Sequence, residues 1–224
     1  MRPWQRAGTD LFYFKGSNYL LVVDYFSRFV EIAKLDSTTS EDIIVHLKSI
    51  FSRHGIVDIL VSDNEPQYSS DVFKQFVRDF GFEHVTSSPK FPQSNGEAER
   101  AVQTVKKLLR KNADPYVALM SYRATPLQNG YSPVELCMGR RIKTNLLIGP
   151  NQLVPSWPYL EDVQSKESVQ SEKQKINYDK RHRVKDETVL KPGDRVWIKD
   201  FATLGEVVMP ALLHVHITFK LQRA

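Results

Sequence analysis

At 224 residues, with 41% hydrophobic and 25% charged side chains, the chain has a globular composition and room for one medium domain plus a smaller appendage. Its single cysteine, Cys137, excludes a disulfide framework and any zinc site built from several cysteines. No apolar run approaches the roughly 20 residues that a membrane span needs, and the net charge of +5 mildly favours a polyanionic partner.

The first 86 residues alternate between strand and helix patterns. Short runs rich in β-branched and aromatic residues predict five strands, at 10–13, 19–25, 29–35, 56–61 and 82–86. Apolar residues at helical spacing predict two helices between the later strands, one ending at Gly55 and one running from Ser70 to Gly81. Because the run 56–61 is apolar throughout, it needs cover on both faces. The segment therefore predicts an α/β fold with a mixed five-stranded sheet flanked by helices.

The rest of the chain changes character twice. A loop at 87–95 with two prolines precedes three helical segments, predicted at 96–113, 115–124 and 133–138. Highly charged residues with little apolar content follow, and β patterning returns after a Pro-Gly-Asp turn at 192–194. These shifts predict a core domain at 1–148, a charged linker at 149–187 that is helical or partly disordered, and a small β module at 188–224.

Three carboxylates occupy positions where an acid is energetically unfavourable unless it has a function. Asp10 lies inside the first strand, Asp63 just beyond the apolar fourth strand, and Glu99 in the first turn of the helix after the loop. Clustered carboxylates repel one another and need cations, and Mg²⁺ or Mn²⁺ prefers oxygen ligands. Two such ions can activate a nucleophile and stabilise the leaving oxygen of a phosphodiester. Taken singly, Asp63 and Glu99 also fit ordinary turn or cap roles.

The helix that carries Glu99 has a polar face that suits DNA. Glu99 shares this face with an amide and two cations, and further basic residues form its shoulder: Gln103, Lys106 and Arg110, then Arg100 and Lys107. Such a face could hold a phosphate backbone beside the acids, although a solvated face of mixed charge has the same appearance.

At these residues the chain resembles the integrase catalytic core of gypsy-type LTR retrotransposons and, more distantly, retroviral integrases. The likeness is carried by four stretches, namely Trp4 with Gly8-Thr9-Asp10, residues 19–28, residues 61–64 and residues 92–100. Between Asp63 and Glu99 lie 35 residues, which matches the D-D-35-E signature of that family.

The resemblance implies an RNase H-like fold in which Asp10, Asp63 and Glu99 bind two Mg²⁺ or Mn²⁺ ions. It implies a magnesium-dependent DNA strand transferase and endonuclease that trims the 3′ ends of element DNA and joins them to target DNA. Implied DNA contacts are the basic helix face and Asn95. It further implies a homo-oligomer that acts in the nucleus, with the cytoplasm as a second location, without membrane, secretion or small-molecule cofactor.

Several positions depart from the family pattern. The nine residues before Asp10 hold no His/Cys zinc module, and Glu65 stands where the family usually has glycine. The SH3-like C-terminal module no longer matches after about residue 210, so we expect it to be truncated or altered. Two alternatives follow: a catalytically degenerate or host-adopted protein that binds DNA or protein, and a hybrid nuclease with a fourth acid at Glu65 or Asp24.

Overall fold

The computed structural model describes residues 2–87, 96–111, 114–182, 193, 195–198, 203–209 and 218–221. The chain divides into two compact units, Met1–Gln170 and Ser171–Ala224. Within the described residues no helix has both the length and the apolar character to cross a membrane. The predicted domain boundaries near 148 and 187 stay predictions.

The first unit contains a five-stranded mixed sheet. Its strands are β1 (Arg6–Phe14), β2 (Ser17–Asp24), β3 (Val30–Leu35), β4 (Ile59–Ser62) and β5 (Glu83–Thr86). Their order across the sheet is β3-β2-β1-β4-β5. The pairs β1–β2 and β2–β3 are antiparallel, and the pairs β1–β4 and β4–β5 are parallel. The predicted mixed sheet is therefore confirmed.

The predicted start of the fourth strand is wrong by three residues. Ile56 is 44% exposed and precedes the strand, whereas Leu60 and Val61 are fully buried. Pairing with β1 begins only at Ile59, and the amides of Asp58 and Ile59 both donate to the carbonyl of Gln5. An apolar side chain in the connection therefore made the strand look longer than its ladder.

Helices cover both faces of the sheet. They are α1 (Ser40–His54), α2 (Pro66–Ser69), α3 (Asp71–Phe80), α4 (Gly96–Lys111), α5 (Pro115–Ala124), α6 (Pro133–Met138) and α7 (Leu160–His182), and a 3₁₀ turn lies at Pro150–Leu153. The predicted cap Ser70 accepts from the amide of Phe73 at 3.1 Å, and Gly81 ends α3 in the left-handed conformation. The short α2 was not predicted, because four residues carry no helical period.

Burial on β2 explains why the sheet needs both layers. Leu20 and Val22 pack into one core with α1 and α3, whereas Leu21 and Val23 pack into a second core with α4 and α5. All four side chains are at most 1% exposed. Because side chains alternate between faces along a strand, β2 can bury consecutive residues only when both faces are covered.

The second unit contains a small antiparallel sheet. Its described strands are β6 (Arg195–Ile198), β7 (Thr203–Met209) and β8 (Thr218–Leu221), in the order β6-β7-β8. Pairing between β7 and β8 shifts register between Val207 and Met209. The turn predicted around 192–194 lies mostly outside the described residues.

Candidate active site

Strand β1 presents one set of side chains to α4. Gly8, Asp10 and Phe12 are two positions apart in β1 and therefore lie on the same face of the strand. A Cβ placed on Gly8 would lie 3.2 Å from Cβ of Ala98, and Nζ of Lys106 lies 5.6 Å from the centroid of the Phe12 ring. Asp10 therefore lies between two points at which α4 contacts β1.

Gly8 permits this close approach, and we expect Gly8→Ala to weaken both stability and any activity of the site. The added Cβ would lie 2.6 Å from Cε1 of Tyr25, so strand, ring or helix must shift. Overpacking of this kind costs about 1–3 kcal/mol. Urea unfolding measures the cost, and Gly96→Ala is the matched control because a Cβ there meets nothing within 4 Å. Equal stability of the two variants would contradict the proposed tight contact.

Four acids lie in one electrostatic neighbourhood. Burial and the negative charges of Asp63, Glu65 and Glu99 together raise the pKa of Asp10 from 3.8 to about 6, against a lowering backbone hydrogen bond from Leu11. Burial also raises the pKa of Asp63, which follows β4. Because β4 runs parallel to β1 with Val61 opposite Gly8, Asp63 leaves β4 beside Asp10, and the charge of Glu99 on α4 also acts on Asp10.

The arrangement is only partly that of a metal site. Across the described parts of the chain, no three His, Cys, Asp or Glu side chains are spaced to hold one ion together. Glu99 is exposed in the first turn of α4 and acts on Asp10 through its charge. The chemistry of the donors, which are all carboxylates that repel one another, fits a hard divalent cation.

Glu65 is a fourth acid of this neighbourhood. Its amide donates to Oδ1 of Asp63 at 3.3 Å, and its carboxylate accepts from the amide side chain of Gln67. Burial, followed by the charge of Asp63, raises its pKa. In contrast, Asp24 is fully buried and accepts from backbone amides and a hydroxyl elsewhere. Of the two acids considered for a hybrid nuclease, only Glu65 lies near Asp10.

A buried tyrosine that the sequence did not single out is hydrogen-bonded to the residue before Asp10. The hydroxyl of Tyr68 lies 3.1 Å from Oγ1 of Thr9, the residue before Asp10. Burial raises the pKa of Tyr68, and the charges of Asp63 and Asp10 add to the rise. No sequence signal marked this residue, because it belongs to the unpredicted helix α2.

The basic face of α4 is exposed along most of its length. The side chains of Gln103, Lys107 and Arg110 are open to solvent, and Nη1 of Arg100 pairs with Glu97 at 2.7 Å. Lys106 is half-buried against Phe12. Asn95 lies outside the described residues. Assignment of these side chains to DNA contacts stays a prediction.

Comparisons with known proteins agree on one family. Residues 1–92 match the model of the Integrase core domain. An uncharacterized protein of Caenorhabditis elegans is 35% identical over 174 residues, which is 72% of this chain and 14% of that protein. The Gag-Pol polyprotein of Walleye dermal sarcoma virus is 32% identical over 152 residues, which is 62% of this chain and 8% of the polyprotein.

Those relatives are much longer than this chain, which spans less than a fifth of either. The matched segment is an integrase core domain with homologues in retroviral Pol polyproteins. The gypsy-type assignment and the D-D-35-E motif are finer than this match and stay predictions.

Solved structures share the fold. The catalytic core of BIV integrase is 21% identical with a TM-score of 0.54, and the match covers 60% of this chain and 94% of that one. The HTLV-2 integrase catalytic core, solved with magnesium in a dimeric form, is 22% identical with a TM-score of 0.52, covering 62% and 97%. The expected RNase H-like arrangement of sheet and helices is thereby confirmed.

Proposed function

We propose that this chain is a polynucleotidyl transferase of the integrase class, which trims the 3′ ends of element DNA and transfers them to target DNA. The observation that supports the proposal is the position of Asp10 beside the end of β4, which Asp63 follows, together with the charges of Asp63 and Glu99 that add to burial in raising the pKa of Asp10 to about 6. Structural acids are normally paired with cations, whereas the charges that act on Asp10 are those of other acids.

The acids would act as ligands of divalent cations. Asp10 and Asp63 would hold the first Mg²⁺ or Mn²⁺ ion, and Glu99 would complete the site for a second. When bound, such ions activate the attacking oxygen and stabilise the leaving oxygen of a phosphodiester. Support for magnesium comes from the donor chemistry and from the HTLV-2 core, which was solved with magnesium. Glu65 would add negative charge to the same site.

The α4 face would position the DNA. Arg100, Lys107 and Arg110 are exposed cations on the helix that carries Glu99, and the ammonium group of the half-buried Lys106 lies over the ring of Phe12. Phosphate contacts of this kind fix register rather than sequence. DNA as partner, a homo-oligomeric assembly and a nuclear location all belong to this proposal.

The test is metal-dependent nicking and strand transfer on short labelled DNA duplexes. With Mn²⁺ we expect activity in the wild type and at least a 100-fold loss in Glu99→Gln and Asp63→Asn, because each removes a proposed ligand. The matched control is Glu97→Gln, which removes an acid from the same helical turn. Glu97 pairs with Arg28 and Arg100, so its loss should leave most activity.

Each other outcome has a defined meaning. Equal activity of wild type and Glu99→Gln would contradict the active-site assignment. DNA binding without cleavage in any variant would contradict the enzyme and favour the degenerate DNA-binding alternative. Cleavage restricted to the RNA strand of DNA–RNA hybrids would favour the hybrid nuclease, with Glu65→Gln as the variant that should then lose activity.

A further inference from the structure

An exposed tryptophan packs against the residue that ends α6. Trp157 is 62% exposed. A Cβ on Gly139 would lie 2.4 and 2.5 Å from Cε2 and Cδ2 of the Trp157 ring. Those two atoms form the bond shared by the two indole rings, so Gly139 covers a face of the ring rather than its edge. One face is therefore backed by the main chain while the rest of the ring is open to solvent.

The backing is fixed by hydrogen bonds. Gly139 ends α6 in the left-handed conformation, with φ at 63°, and its amide donates to the carbonyl of Glu135 at 3.0 Å. The amide of Ser156 donates to the carbonyl of Gly139 at 2.7 Å, which ties the segment before Trp157 to the helix end. An aromatic ring held in this way loses little further entropy when a ligand stacks on it.

The cleft beside the ring carries a small net positive charge, because its charged lining residues are Arg140, Arg141 and Glu135. The segment 139–159 contains Arg140, Arg141 and Lys143 and has no Asp or Glu. Within the described residues Arg141 pairs with Glu135 at 2.8 Å, whereas neither Arg140 nor Lys143 forms an ion pair. Arg140, Trp157 and Tyr159 line a common open cleft of about 500 Å³. Tyr159 is itself 83% exposed, so two aromatic rings and an uncompensated cation meet at one place.

We propose that this Trp157 cleft binds an unpaired strand of nucleic acid, with a base stacked on the open part of the indole and the backbone phosphates near Arg140. Aromatic stacking combined with backbone cations is how proteins hold single strands without regard to sequence. A duplex interior offers no free base face, so the cleft should prefer unpaired strands. The positive segment disfavours a basic partner, and the site is separate from the acids, so the proposal stands apart from the proposed catalysis.

The test is binding of a fluorescent 20-nucleotide thymidine oligomer to the full chain, measured by anisotropy. Trp157→Ala is expected to weaken binding about 5- to 100-fold, because removal of one stacking ring usually has that effect. Trp157→Phe should retain most of the affinity. The control is Tyr116→Ala, which removes a ring that is 79% exposed on α5 and should change nothing.

Further variants separate the contributions. Arg140→Gln, an exposed change, should lower the slope of log affinity against log salt by about 1 and keeps the test valid if Trp157→Ala fails to fold. A matched duplex should bind wild type and Trp157→Ala alike, and a uridine oligomer shows whether RNA shares the site. Unchanged thymidine-oligomer affinity in both Trp157→Ala and Arg140→Gln would overturn the proposal. An equal loss in Tyr116→Ala would overturn it as well.

Discussion

Replacing Asp10 by asparagine is expected to abolish Mn²⁺-dependent DNA cleavage and, at the same time, to stabilise the metal-free protein above about pH 6. The two effects have one cause. Burial and the charges of neighbouring acids raise the pKa of Asp10 from 3.8 to about 6, so its ionised form costs folding energy that a bound cation would offset. Asparagine keeps the shape and lacks the charge, so it removes the repulsion together with the proposed ligand.

The pH window follows from the direction of the shift. The pKa of Asp10 in the folded state lies above its unfolded value. The folded wild type therefore carries no penalty from Asp10 below about pH 4, and it loses stability as the pH rises through 6. The rise corresponds to about 3 kcal/mol at most. Asp10 is partly exposed and water screens it, so we expect about 1–2 kcal/mol, or roughly 3–6 °C in Tm at pH 7.5 with chelator. The difference should vanish near pH 4.

Cation titration provides a readout that does not depend on activity. Mg²⁺ or Mn²⁺ should raise the Tm of the wild type, since a ligand that binds only the folded state stabilises it. Asp10→Asn should respond much less. The control is Asp36→Asn, an exposed acid between β3 and α1, which should behave as the wild type at every pH. If Asp10→Asn is less stable than wild type at pH 7.5 and gains equally from the cation, the assignment of Asp10 is wrong.

The second large effect is expected from Asp24→Ala, which should cost about 3–5 kcal/mol of stability. Asp24 is completely buried at the end of β2. Oδ1 accepts from the amides of Trp4 and Phe26 at 3.0 and 3.4 Å. Oδ2 accepts from the amide and the hydroxyl of Ser27 at 2.9 and 2.5 Å. Alanine would leave these donors buried without acceptors, and the link between the N-terminal segment and the β2–β3 turn would be lost.

Urea unfolding of three variants tests this role. Asp24→Asn retains one acceptor oxygen and should lie between wild type and Asp24→Ala. Asp58→Ala removes an exposed acid, paired with Arg2 at 2.6 Å, and should cost at most about 0.5 kcal/mol. An Asp24→Ala midpoint no lower than that of Asp58→Ala would show that the buried donors do not depend on the carboxylate.

The sequence determined most strands and helices of the first unit and singled out its candidate acids. Strand and helix periods, with caps at Ser70 and Gly81, depend on neighbours in the chain and could be read locally. Asp10 could also be recognised locally, because an acid inside an apolar strand is energetically unfavourable wherever that strand lies in the fold. The resemblance to integrases rests on the same local stretches of sequence.

Only the tertiary structure decided how these residues meet. Ile56 looked like part of a strand because its side chain is apolar, yet the hydrogen-bond ladder begins at Ile59. Asp24 and Glu65 were both candidates for an extra acid, and in the sequence only Glu65 is close to Asp63. In the fold, the buried carboxylate of Asp24 accepts from backbone amides, whereas the amide of Glu65 donates to Asp63. The position of Trp157 over Gly139 likewise joins residues 18 apart in the chain. Local sequence specifies hydrogen-bonding and apolar character, whereas packing between distant elements decides which donors, charges and faces remain without partners.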